Sequence, residues 1–300
     1  MNNTNNRGGP LAAFAILALI WGYNWVVMKL ALRYCGPFAF SAWRVAPGAL
    51  LLLGVMIALR VPLKPRHVGK TILVGIFQTA AFVGLISWSL TLGAAGKSAV
   101  LAYTMPFWVI VLSWPFLGER LRGWQWPAVG LALIGLLLVL HVWNIGAGLA
   151  NSGLAIASGI SWGISVIIVK KIPVNGRDEL LSLTTWQMLF GAVPLILIAW
   201  LVPEQPIVWS AYFIGALAFN VIAGTIIGWL LWLYVLQRLP ANISGLSTLI
   251  IPVVGVISAW LQLGERPDFA ERLGIILIIV ALALLSVAGR RQRQPKALGP

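Results

Sequence analysis

Trp114–Arg120 reads WPFLGER, and Trp260–Arg266 reads WLQLGER. The chain holds only 7 acidic residues among 300, yet Glu119 and Glu265 occupy the same place in the same tripeptide. Sliding the sequence by 146 residues, from 114 to 260, also lays Ser98 on Ser244 and Pro106 on Pro252. A shift of 141, from 21 to 162, lays WGYNWVVMK at Trp21–Lys29 on WGISVIIVK at Trp162–Lys170. Two offsets this close, carried by separate stretches, describe a tandem duplication.

Composition says what each copy is made of. A chain that is 60% hydrophobic and 9% charged has too little polar surface to cover a soluble globule. A hydrocarbon core about 30 Å thick is crossed by about 20 helical residues. Apolar runs of that length predict helices over 10–32, 38–59, 70–92, 98–117 and 124–141, then 151–170, 180–201, 209–236, 243–263 and 271–288. The polar, Gly-rich NIGAGLANSG at Asn144–Gly153 parts the two sets. The first run is too long for a cleaved leader and continues into Lys29 and Arg33. Cys35, the single cysteine, excludes a disulfide framework and a cysteine-based metal site within one chain.

The net charge of +14 sorts by side of a membrane rather than onto one nucleic-acid-binding face. With the N-terminus inside, the loops holding Arg60–Lys70, Arg120–Arg122, Lys170–Arg177 and Arg238 are cytoplasmic. Only Arg33, Lys97, Arg266 and Arg272 fall outside, so the positive-inside rule puts both termini in the cytoplasm. Five helices per half is an odd number, which makes the second copy enter from the opposite side. The expected fold is all-α integral membrane: ten transmembrane helices in two inverted-topology five-helix repeats, 11–141 and 151–288. Residues 289–300 form a basic cytoplasmic tail that anchors near anionic lipid.

The WG in the first helix of each half, the proline in the fourth and the LGER that ends it resemble the EamA repeat of the drug/metabolite transporter superfamily. The resemblance spans residues 11–288 and implies a secondary transporter of the bacterial inner membrane. The abundance of aromatics and the layout look like the aromatic amino acid exporters of that superfamily, which implies export of aromatic and other apolar amino acids. An exporter of drugs or lipophilic cations is the alternative within the same fold. The partners implied are a small-molecule solute and the lipid bilayer, with no nucleic acid; the expected unit is a monomer, a dimer being left open.

A transported solute needs aromatic or polar groups facing a cavity at mid-depth. Tryptophan favours the interface, yet Trp21 and its repeat mate Trp162 lie near helix centres. Phe77, Gln78 and Phe82 of the third helix, and Asn220, Thr225, Trp229 and Trp232 of the eighth, are further candidates, each of which packing alone would also explain. In the fourth helix of each half, Tyr103 and Phe107, and likewise Ser244 and Thr248, are four residues apart on one face. Pro106 and Pro252 read as helix-breaking hinges that free the carbonyls of Ala102 and Thr248. Lys29 and Arg44 sit within spans near the outer end; a structural role is the expectation for both, with Lys29 or Lys97 the alternative for holding a substrate carboxylate or a gate.

All seven acids and both histidines, His67 and His141, fall in loops or at helix ends. No carboxylate relay is therefore expected, and transport should run down a gradient or by exchange. The same scarcity leaves no catalytic residues, metal site or cofactor to assign, and argues against an integral-membrane enzyme. The AAGKSA at Ala94–Ala99 lacks the upstream glycine of a phosphate-binding loop. Nor do charge rings or a carbonyl filter mark a channel. The LGER itself reads as the end of a spanning helix, with Arg neutralising Glu, and not as part of the solute site.

Overall fold

A computed structural model of the chain describes residues 8–92, 101–121, 123, 125–139, 149–263 and 268–291. The described residues are helical, with no strand among them. The helices are α1 Gly8–Ala31, α2 Pro37–Ala58, α3 Val68–Leu92, α4 Met105–Leu117, α5 Gln125–Val139, α6 Leu149–Lys170, α7 Arg177–Leu201, α8 Ala211–Arg238, α9 Ala241–Ser247, α10 Ile250–Leu263 and α11 Phe269–Arg291. Six of them (α1, α2, α3, α6, α7 and α8) are long and apolar enough to cross a membrane, and shorter apolar helices accompany them.

Two features depart from the predicted helices. The runs predicted as single helices over 98–117 and 243–263 break at residues 103–104 and 248–249; residues 98–100 lie outside the described residues. Pro106 and Pro252 sit in the first turn of the helices that restart, α4 and α10, where a missing N–H costs nothing. The carbonyl of Thr248 is not left free as expected: the chain tightens, and Ile251 N–H donates to it at 2.9 Å. The second departure is a wide π turn inside each of two long helices, Gly75–Ala81 in α3 and Asn220–Ile227 in α8. Such segments cluster at functional sites.

Close helix contact is made by small residues, as membrane packing demands. Where α3 crosses α7, a Cβ on Gly75 would lie 2.6 Å from the Gln187 carbonyl, and one on Gly191 would lie 2.5 Å from the Gly75 carbonyl. The two backbones touch, which brings the π turn of α3 against the middle of α7.

The loops divide between two ends. At one end Arg66 pairs with Glu179, Lys70 Nζ donates to the Lys171 carbonyl at 2.9 Å, and Ala241 N–H donates to Glu119 at 3.1 Å. At the other, Val208 N–H donates to the Tyr34 carbonyl at 2.8 Å, and Trp43 meets Trp209 edge to face. The first LGER behaves as expected at its glycine: Gly118 takes the left-handed conformation (φ 69°) that ends α4. Its Glu119 does more than terminate the helix, since it caps the first residue of α9. Arg120 lies over the Trp114 ring. Gly264–Arg266, the second copy of the motif, lies outside the described residues.

Candidate functional site

The centre of the molecule is organised by Trp21, halfway along α1. Its indole Nε1–H donates to the Gly224 carbonyl, within the π turn of α8, at 3.0 Å. Gly228, one helical turn on, makes room for the ring: a Cβ there would lie 2.4 Å from Nε1. The ring meets Trp229 edge-on, with centroids 5.3 Å apart, and lies 6.2 Å from Trp232. Trp232 in turn lies 4.7 Å from Trp162 of α6. The repeat mates Trp21 and Trp162 are thus bridged by one ring of α8. Trp162 and Trp232 are fully buried. The indole N–H groups of Trp229 and Trp232 are buried with no hydrogen-bond partner among the described residues.

Beside these rings lies a cavity of about 60 Å³, walled by α1, α2, α3, Tyr103 and Met105, α6, α8 and α10. Elements from both halves of the sequence converge on it. Of the residues predicted for a solute site, Trp21, Phe82, Tyr103, Trp162 and Trp229 line this space. Tyr103 is 5.5 Å from Trp25, also in the wall. Space of this size admits a few waters, far less than the roughly 300 Å³ of a small-molecule pocket. As it stands the cavity is too small for such a solute.

The other predicted residues do not line the cavity. Gln78 and Phe77 are committed to α6: Ser165 Oγ donates to Gln78 Oε1 at 3.2 Å, and Ser161 Oγ donates to the Phe77 carbonyl at 2.8 Å. Phe107 packs half-buried against the core. Ser244 and Thr248 are fully buried, Thr248 bonded back to Gly245 at 2.6 Å. Thr225 stands one step behind the wall, accepting from Arg44. Lys29 is exposed, and Lys97 lies outside the described residues.

The remaining wall residues were not predicted for the solute site, among them the polar Asn24 and Arg44 and the aromatic Trp25. Arg44, expected to serve structure alone, is 6% exposed and lines the cavity. Its Nε–H donates to Thr225 Oγ1 and its Nη1 to Met28 Sδ, each at 3.3 Å. Asn24 is 5% exposed, and its Oδ1 has no hydrogen-bond partner among the described residues. Polar residues inside spanning helices are the usual mark of such positions.

A bundle of apolar helices around a polar and aromatic centre is the architecture of a carrier, and comparison with known proteins agrees. A profile of the EamA-like transporter family matches residues 9–141 and 152–287. The chain belongs to this family. It is a multi-pass membrane transporter, whose partners are a small-molecule solute and the lipid around it. It is 26% identical over 283 residues to the uncharacterized transporter YoaV of Bacillus subtilis, covering 92% of this chain and 96% of that one. It is 27% identical over 304 residues to a probable amino-acid metabolite efflux pump of Escherichia coli, covering 98% and 99%. A riboflavin transporter of Rhizobium johnstonii is also 27% identical, over 300 residues, covering 94% and 90%. A solved crystal structure superposes with a TM-score of 0.79 at 18% identity, covering 96% of this chain and 100% of that one, a likeness of fold.

Proposed function

We propose that this EamA-family member exports aromatic and other apolar amino acids across the bacterial inner membrane by alternating access. The observation that carries the reading is the central cavity walled by Trp21, Trp25, Phe82, Tyr103, Trp162 and Trp229. Aromatic walls with few polar groups suit an apolar side chain attached to a polar end. The Escherichia coli relative described as a probable amino-acid metabolite efflux pump supports the same class of solute.

Ten transmembrane helices in two inverted repeats, 11–141 and 151–288, with both termini and the basic tail in the cytoplasm, remain our topology. Two matched segments of the family profile support the duplication. The grouping of the loops after α2, α4, α6 and α8 at one end, rich in Lys and Arg, supports the orientation. A solute needs more room than the cavity has as it stands; exposure to either side follows when one half rocks against the other. The residues lining the cavity all come from one chain, which supports a monomeric working unit.

Counterflow in proteoliposomes with a panel of labelled amino acids and organic cations tests this. Saturable exchange of aromatic amino acids is expected, indifferent to an imposed pH gradient because no acid lines the cavity. Transport driven by a pH gradient and abolished by replacing one acid would overturn the mechanism; transport of the cations alone would overturn the substrate class.

A further inference from the structure

We propose that Arg44 and Asn24 form the polar end of the central cavity, binding the carboxylate and the ammonium of an α-amino acid whose side chain lies among the tryptophans. The proposal rests on the amino acid reading above and assigns the residues that would carry it.

The first argument is electrostatic. Arg44 is buried among helices, and an arginine keeps its proton in a protein. The ion pair found among the described residues, Arg66–Glu179, lies at the loop end, and no described carboxylate faces Arg44. A buried charge without a counter-ion costs several kcal/mol. Of the five N–H donors in a guanidinium, the structure pairs one with a hydroxyl, at 3.3 Å, and one with a thioether, a weak acceptor. Its remaining donors have no partner among the described residues, on a side chain that lines the cavity, and a guanidinium can take a carboxylate through two donors at once.

The second argument comes from Asn24 and stands on its own observation. Its Oδ1 is a buried acceptor with no partner among the described residues, on a side chain that lines the same cavity. An unmade bond at such an atom leaves its desolvation uncompensated. An acceptor is what a ligand ammonium requires, and a cation on Arg44 is what a ligand carboxylate requires.

The third is placement. Arg44 donates to Thr225, Asn24 lies against Gly224 (3.4 Å from Oδ1 to a Cβ built there), and Trp21 donates to the Gly224 carbonyl. Two consecutive residues of the α8 π turn therefore fix the cation, the acceptor and the aromatic wall together. A zwitterion with an aromatic side chain matches all three. A lipophilic cation matches the rings and is repelled by Arg44, so the alternative of cation export loses its footing.

The test is ligand binding to the purified full chain in detergent, read by tryptophan fluorescence, with L-phenylalanine, 3-phenylpropanoate and 2-phenylethylamine. Wild type should bind L-phenylalanine best and 2-phenylethylamine worst. Arg44→Gln should raise Kd for both carboxylates about tenfold or more and leave the amine unweakened, with Arg44→Lys between. Asn24→Leu should weaken L-phenylalanine and spare 3-phenylpropanoate. Equal Kd for L-phenylalanine in wild type and Arg44→Gln, or tighter wild-type binding of the amine, would overturn the assignment; the former leaves the amino acid reading standing. Binding of 3-phenylpropanoate alone, lost in Arg44→Gln, would keep the role of Arg44 and sink both Asn24 and the amino acid reading. Should Arg44→Gln fail to fold, the wild-type ranking still decides, and binding of none of the three would overturn both proposals.

Discussion

The carboxylate of Glu204 occupies the space a side chain on Gly36 would take: a Cβ there would lie 2.3 Å from Glu204 Cδ. Glu204 comes from the loop between α7 and α8, and its two oxygens accept from the backbone N–H groups of Phe38 (2.8 Å) and Ala39 (2.7 Å). It serves as the cap that α2 lacks locally, Gly36 having no side chain to give.

Gly36→Ala should therefore displace Glu204 and cost about 1–2 kcal/mol, the worth of a good helix cap. Glu204→Ala should cost a similar amount. Because both remove one interaction, the double variant should be little worse than either. Thermal unfolding of the solubilised protein measures this, and simple additivity of the two losses would contradict it.

Cys35 lies between α1 and α2, fully buried. Burial pushes its thiol up from 9.0 to about 12, with the nearby Glu204 charge adding to the rise. The folded pKa is raised, so the associated stability is whole below pH 9 and is lost as pH climbs towards 12. Iodoacetamide at pH 8 should leave the native protein unmodified and alkylate it once in denaturant, as read by intact mass. Glu204→Ala should speed labelling; fast labelling of the native wild type would count against a buried thiol.

At the crossing of α3 and α7, Gly75→Ala and Gly191→Ala put a methyl against backbone that has no rotamer to yield. Each should cost about 1–3 kcal/mol or more through overpacking. The folded fraction in size-exclusion chromatography should fall sharply. Gly54→Ala, with nothing within 4 Å of its Cβ, should be neutral.

Trp162 is core as well as cavity wall, so Trp162→Ala should destabilise by about 3–5 kcal/mol and lose transport for that reason alone. Trp21→Phe is the sharper variant, since it keeps a ring and drops the 3.0 Å bond to Gly224. Its stability should fall by only about 0.5–1.5 kcal/mol, while half-saturation for the transported amino acid rises. An unchanged half-saturation in counterflow would separate the hydrogen bond from the site.

Helix positions were legible because apolar length is written in composition: predicted spans such as 38–59 and 180–201 agree with α2 and α7 to a few residues. The π turns were not, since inserting one residue into a turn leaves an apolar stretch apolar. Trp21 and Trp162 stood out because tryptophan at mid-depth is unusual and both copies have one. Arg44 marks a limit of such reading: distance along a helix gives depth but not direction, and only the neighbouring α1 and α8 show that it turns inward. Asn24 was hidden inside the WGYNW stretch, read for its repeat and not for its one buried amide. Ser244 and Thr248 are both buried away from the cavity, the Thr248 hydroxyl satisfied within its own helix and the Ser244 hydroxyl without a partner among the described residues.

The π turn of α8 also sets a phase. Each residue of an α-helix advances about 100°, and the wide turn at Asn220–Ile227 shifts everything after it by the angle of an inserted residue. Winding the same residues into a regular α-helix would swing Trp229 and Trp232 about 100° around the axis, away from Trp21, whereas deleting one residue of the turn would remove the bulge and leave both rings in place. Point substitutions can only recolour the central aromatic stack; the register of α8 decides whether there is a stack.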